Sequence, residues 1–199
     1  MPTSTRQRLI EAAVRRFYRD GFRNVGIDQI LGDVGISKTA FYKHFASKED
    51  LMLAALEGQN QWLQNTFRTF VRERASTPVG QLHAVLDVVE QLIESDEFHG
   101  CIFVKALMEF PLRHEPVHVA AAQSKQAIED FVHILASEAE ADDPRSLARE
   151  MCLLMEGAYV TRHATGNVHT IDMARRMARM LIEDRCARAS GAASEPVAG

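Results

Sequence analysis

Residues Ile27 to Asp50 read IDQILGDVGISKTAFYKHFASKED, and this stretch decides the fold. Apolar Ile27, Ile30, Leu31 and Val34 recur at the spacing of one helix face. Gly35 follows at the point where the chain must turn, and a residue without a Cβ accepts the positive φ that a tight turn demands. Ser37 is a strong N-cap and predicts a second helix over Lys38 to Phe45. Two short helices joined by a glycine turn spell a helix-turn-helix, whose second helix enters the DNA major groove. Ser47 and Asp50 then form the capping-box pattern at the head of a longer helix.

Working outward, every other apolar run is also helical. Ser4 and Gln7 open a first helix with the stripe Ile10, Ala13, Val14 and Phe17, stopped at Asp20-Gly21. The helix that starts after Ser47 fades near Ala75. Thr77-Pro78 and Asp143-Pro144 are caps followed by Pro at the first helical position, where its missing N–H costs least. The first starts a helix reaching about Ser95, the second one ending at Thr165-Gly166. Cys101 to Phe110 is a short apolar piece stopped by Pro111, and Pro116 opens a helix to about Ala139. The last helix runs from about Thr170 to Arg188 with Ile171, Ala174, Met177, Ala178 and Leu181 along it. No alternating apolar run lies between paired turn signals, so no strand is expected. The fold class is all-α, about nine helices without internal repeat. A three-helix head at 1–50 precedes a helical bundle at 51–189 and a small, polar tail at 190–199 expected to be disordered.

Composition excludes several classes. With 46% hydrophobic and 25% charged residues the 199-residue chain is an ordinary globular one. No stretch approaches the roughly 18 unbroken apolar residues of a membrane helix, and the N-terminus lacks a secretion signal's apolar core. Cys101, Cys152 and Cys186 are odd in number and widely spaced, as suits reduced thiols in a cytoplasm. The net charge of −4 is unevenly placed: residues 1–50 carry +3 and the remainder −7. A basic front on an acidic body fits a chain whose front alone meets phosphate, although Arg15, Arg16 and Arg19 equally suit a solvated helix face.

The pattern resembles the TetR (tetracycline-repressor-like) family of bacterial regulators. The likeness rests on Phe17, Gly21, Phe22, Ile30, Gly35, Ile36, Ser37, Phe41, Tyr42, His44, Phe45, Ser47, Lys48 and Leu51, and most specifically on the run ISKTAFYKHFASKEDL. It covers roughly the first fifty-five residues; beyond them only helix count and order agree, with the fragment LLMEGAYVTRHATGN similar to a dimer-forming helix of some members. Two positions depart from the family pattern. Gly26 stands where a capping, phosphate-touching Ser or Thr is usual, leaving Gln29 to reach back to its N–H. Thr39 stands where Gly is common, placing a hydroxyl and a methyl where the groove is read.

Helical period assigns roles within the head. Phe41 and Phe45, four apart, point back toward Ile30 and Phe17. Lys38 and Thr39 at the helix start are placed for base edges, lysine donating to guanine and the threonine methyl packing on thymine. Tyr42, Lys43 and His44 are placed as phosphate partners, as the resemblance also implies. Lys48 joins them in the first turn of the next helix, where free N–H groups favour an anion.

Rival chemistry centres on His114-Glu115-Pro116-Val117-His118, which matches H-E-x-x-H. A helical metal-dependent sensor or enzyme built on His114, Glu115 and His118 needs both histidines on one helix face. Pro116 breaks that face, because inside a helix it costs about 3 kcal/mol and at the first position it leaves His114 outside. Loop ligands from His99, Cys101, Glu109, His114 and His118 form a candidate for regulatory zinc that does not need the shared helix face. No nucleophile elbow, phosphate-cradling loop or dinucleotide fingerprint occurs, so neither a catalytic set nor a cofactor is expected.

The expected protein is therefore a ligand-responsive regulator, repressing from a palindromic double-stranded DNA operator as a homodimer. The resemblance further implies a small-molecule inducer in an apolar pocket of the body. Trp62, Phe103, Met108, Phe131, Met155 and Tyr159 are the candidate lining, large side chains that serve equally well as plain core. Gly157-Ala158 and the last helix suit close approach of another helix, from the same subunit or a second one.

Overall fold

The computed structural model describes residues 4–95 and 98–192, and among these every regular element is a helix. In chain order they are α1 (Thr5–Asp20), α2 (Ile27–Val34), α3 (Lys38–Tyr42), α4 (Lys48–Arg74) and α5 (Pro78–Ile93). α6 (Ile102–Glu109), α7 (Pro116–Glu138), α8 (Pro144–Thr165) and α9 (Thr170–Ala192) follow. The starts fall where the caps predict them. Ser4, Thr77 and Asp143 each accept a bond from the backbone N–H three residues on. The tail expected at 190–199 lies, from residue 193, outside the described residues.

The chain forms two compact units, described separately. One comprises Met1–Leu63 with His99–Lys125, so it extends past residue 50 and includes α6 and the start of α7. Its core gathers Phe17, Phe22, Ile30, Phe41, Phe45, Leu51 and Leu56 with Phe103 and Ala106 of α6. Phe17 stacks on Phe22 with ring centroids 4.8 Å apart, and Phe41 lies 5.8 Å from Phe45. Removing a ring so enclosed costs about 3–5 kcal/mol, enough to threaten the head.

The other unit comprises Gln64–Phe98 and Gln126–Gly199. Here α5, α8 and α9 pack on one another through Leu82, Val85, Leu86, Val89, Leu147, Met151, Ala178 and Ile182. Ile171, Ala174 and Ala178 are buried, whereas Met177 from the same expected stripe is exposed.

Candidate nucleic-acid interface

Local chemistry builds the helix-turn-helix. Gly35 takes φ 71°, ψ 41°, and its N–H closes α2 on the Leu31 carbonyl. A Cβ there would meet no neighbour, so the backbone conformation alone selects glycine. The Ser37 hydroxyl accepts from the Ala40 N–H at 3.2 Å, fixing the start of α3. α3 is shorter than the expected Lys38–Phe45: Lys43 N–H and His44 N–H bond three residues back, to Ala40 and Phe41. This tightened last turn brings Phe45 down into the core behind Phe41. Gln29 reaches back at 2.8 Å to the Gly26 N–H, standing in for half of a capping box.

Much of the head's positive charge is already committed. Arg16 grips Asp33 with two bonds of 2.7 Å, and Arg19 grips Asp20 in the same forked way. These guanidiniums hold the Asp33 and Asp20 carboxyls below the usual carboxylate range. Arg8 donates to the Val34 carbonyl, and Arg6 lies over the Phe45 ring at 5.1 Å. Lys38 pairs loosely with exposed Asp28 at 3.7 Å. By contrast Thr39, Lys43 and His44 are exposed and take no side-chain partner among the described residues. Tyr42 is 51% exposed, its ring edge-on to Phe41.

Lys48 is placed otherwise than the sequence suggests. Its ammonium donates at 2.6 Å to the Phe22 carbonyl, and partial burial lowers its pKa from the ordinary lysine value. An amine turned inward to a loop carbonyl braces the head rather than projecting from it.

That loop is held by residues that local sequence patterns gave no reason to pair. Glu109, at the end of α6, accepts the Phe22 N–H at 2.9 Å and the Arg23 N–H at 2.6 Å. Arg23 returns a bond to the Glu109 carbonyl and lies 4.8 Å over Phe110. Lys105 donates to the Tyr18 carbonyl near the end of α1. The one available signal was Gly21, whose φ of 86° leaves its bare Cα against the Glu109 carboxylate.

The rival metal centre is not assembled. His114 is exposed in the turn before α7, outside the helix that Pro116 begins. Glu115 accepts from the Leu112 N–H, and His118 Nδ1 contacts the Phe110 carbonyl at 2.7 Å. Glu109 is occupied by the α1–α2 loop, and no group of three potential ligands forms among the described residues.

The pocket candidates fall in both units. Phe103 is sealed in the first unit's core, where Trp62 is 53% and Met108 79% exposed. In the second unit Phe131 meets Phe67 at 6.3 Å, Tyr159 stacks with Phe98, and Met155 is buried.

A glycine-turned helix pair with an exposed, partly basic second helix defines a DNA-binding regulatory protein of the helix-turn-helix class. Family profiles agree along the chain: "Bacterial regulatory proteins, tetR family" matches residues 9–55 and "Tetracyclin repressor-like, C-terminal domain" matches residues 78–178. The chain belongs to the TetR family of transcriptional regulators. It is similar to the HTH-type transcriptional regulator YjdC of Escherichia coli, 24% identical over 94% of this chain and 98% of that protein. The HTH-type transcriptional activator FasR of Mycolicibacterium smegmatis is 29% identical over 64% of this chain and 58% of its own. A TetR-family regulator from Streptomyces coelicolor superposes with a TM-score of 0.86 at 27% identity, covering 92% of this chain and 96% of that one. Proteins of this family are DNA-binding transcription factors rather than enzymes. No described helix is long and apolar enough to cross a membrane.

Proposed function

We propose that the protein is a ligand-responsive regulator, most simply a repressor, that binds a palindromic operator as a homodimer in the cytoplasm. In this reading residues 1–50 serve as the reading head and residues 51–189 as the sensing and pairing body, although the head packs in one compact unit with α6. The observation that carries the DNA assignment is the set of exposed groups around α3, with Thr39, Lys43 and His44 unpartnered among the described residues and Lys38 held only by a loose pair with Asp28. Lys38 and Thr39 at its start meet base edges. Tyr42, Lys43 and His44 bind phosphate. Lys48 contributes by holding the α1–α2 loop, since its ammonium is already bonded to Phe22.

Pairing is supported by an apolar stripe that the second unit leaves exposed. Leu153, Gly157 and Val160 lie at i, i+4 and i+7 on α8, and Met173, Met177 and Met180 repeat the spacing on α9. A Cβ at Gly157 would meet nothing within 4 Å, so glycine there is not required by packing among the described residues. Two such helices from each copy form a four-helix contact. Ligand control would act on the body, with the Glu109 clamp linking α6 to the head's α1–α2 loop inside one compact unit. The effect of a ligand cannot exceed its difference in affinity for the two states.

Nuclease footprinting on the promoter flanking the gene tests the function. The expected protection is two symmetric half-sites about 10 base pairs, or a multiple, from centre to centre. A single unpaired site, or no protection at low salt, rejects it.

A further inference from the structure

The second unit contains a cleft of about 440 Å3 where the end of α4 meets α5 and α9, with Arg74, Arg175 and Arg179 on its walls. Asp87 is the one carboxylate that faces them among the described lining residues. Arg175 is held on two carboxylates: its two terminal nitrogens donate to the two Glu90 oxygens at 2.7 Å each, and one also donates to Asp87. Arg74 makes one longer bond of 3.3 Å, from Nε to the same Asp87, and lies 5.9 Å over the Phe70 ring, which leaves its terminal nitrogens without a hydrogen-bond partner among the described residues. Arg179 makes no hydrogen bond or ion pair among the described residues. Ala84, Leu86 and Ala178 supply apolar lining between these cations. Arg175 and Arg179, four apart, lie on the opposite side of α9 from Met173, Met177 and Met180, so pairing through the methionines leaves the cleft open.

We propose that this cleft binds the carboxylate of a small amphipathic acid, with Arg179 and Arg74 taking the anion and Ala84, Leu86 and Ala178 taking its apolar body. The volume is within the range of small-molecule sites. A guanidinium fork matches a carboxylate edge, and Arg175 with Glu90 already displays that geometry in the same cleft. Arg175 is thereby fixed as a wall. Arg74 and Arg179 retain donors that Asp87 does not use. A tetrahedral dianion fits less well, because it brings a second charge against Asp87 and Glu90. His83, a further lining residue, is held toward its neutral form by burial and by Arg179, so the attraction for the anion comes from the arginines. That the acid acts as an effector rests on the ligand-responsive reading above; its binding does not.

The test uses the full chain with benzoate, benzamide and inorganic phosphate as probes. Affinity is read by calorimetry, and location by backbone amide resonances of Gly80 and Ala178. Benzoate should shift both resonances and bind about tenfold more tightly than benzamide. Arg179→Met and Arg74→Met should each weaken benzoate roughly fivefold, as expected for exposed pairs, with the thermal midpoint checking that each variant is folded. Equal affinity for benzoate and benzamide, displacement by phosphate at equal concentration, or undiminished binding in the double variant would overturn the site. Benzoate binding with no change in promoter affinity keeps the site and overturns the effector role.

Discussion

Replacing Gly21 by Ala isolates the contact that joins α6 to the head. At φ 86° and ψ 165° the residue occupies backbone space that is essentially glycine's own, and an alanine there carries about 1–3 kcal/mol of strain. Its Cβ would also stand 2.7 Å from Glu109 Oε1, so the carboxylate must withdraw from the Phe22 and Arg23 N–H groups. Hydrogen bonds to a charged acceptor contribute about 1.5–3 kcal/mol each when enclosed. Here Arg23 is exposed, so the pair together is worth about 1–2 kcal/mol. The sum is a destabilisation of about 3 kcal/mol, or a midpoint lowered by about 6–12 °C for a chain of this size. Thermal and urea unfolding of Gly21→Ala, Glu109→Ala and the double variant form the assay. With Glu109 already removed, Gly21→Ala should cost only its backbone strain, so the two losses are less than additive. Full additivity, or a single-variant loss below about 1 kcal/mol, would refute the clamp.

Three more outcomes follow from the geometry. Burial, and secondarily Arg179, hold the His83 pKa below its ordinary 6.5, while Glu183 and Asp87 oppose the shift and Arg74 and Arg175 line the same cleft. A depressed folded-state pKa contributes stability that is present above about pH 6.5 and lost as pH falls through the folded value. Urea midpoints of wild type should therefore fall over that window, and those of His83→Gln should fall less. Leu153→Glu with Val160→Glu should yield monomers in sedimentation experiments without loss of helicity, because both side chains are exposed; a surviving dimer moves the interface elsewhere. Thr39→Ala should alter which operator variants are preferred, by about 1–3 kcal/mol at one base pair, while salt dependence stays as in wild type.

The helices were legible because their signals are local. Thr77-Pro78, Asp143-Pro144 and Pro116 mark starts, and Gly35 and Ser37 mark the turn and cap of the reading pair, each acting within about one helical turn. Burial of Phe41 and Phe45 followed from their spacing of four. The orientation of a long flexible side chain did not follow, so Lys48 was placed toward phosphate when its ammonium turns in to Phe22. The end of α3 was read too late because Phe45 keeps helical spacing after the hydrogen-bond pattern has tightened. Non-local polar pairs left little trace beyond Gly21: Glu109 meets residues 86 and 87 positions away, and Arg175 meets Glu90 and Asp87 at 85 and 88. Lys105 and Glu109 look like an i, i+4 pair in sequence, yet each bonds the backbone of the head.

DNA reading by α3 is decided by anisotropy titrations of the flanking promoter DNA across a salt series, with wild type and Lys43→Ala side by side. Lys43 is exposed and has no partner among the described residues, so its loss should weaken binding to every sequence. The log–log salt slope should shrink by about 0.9 for each phosphate contact removed, or about two units when both copies are bound. An affinity and slope unchanged by Lys43→Ala would contradict the assignment of α3 to the groove.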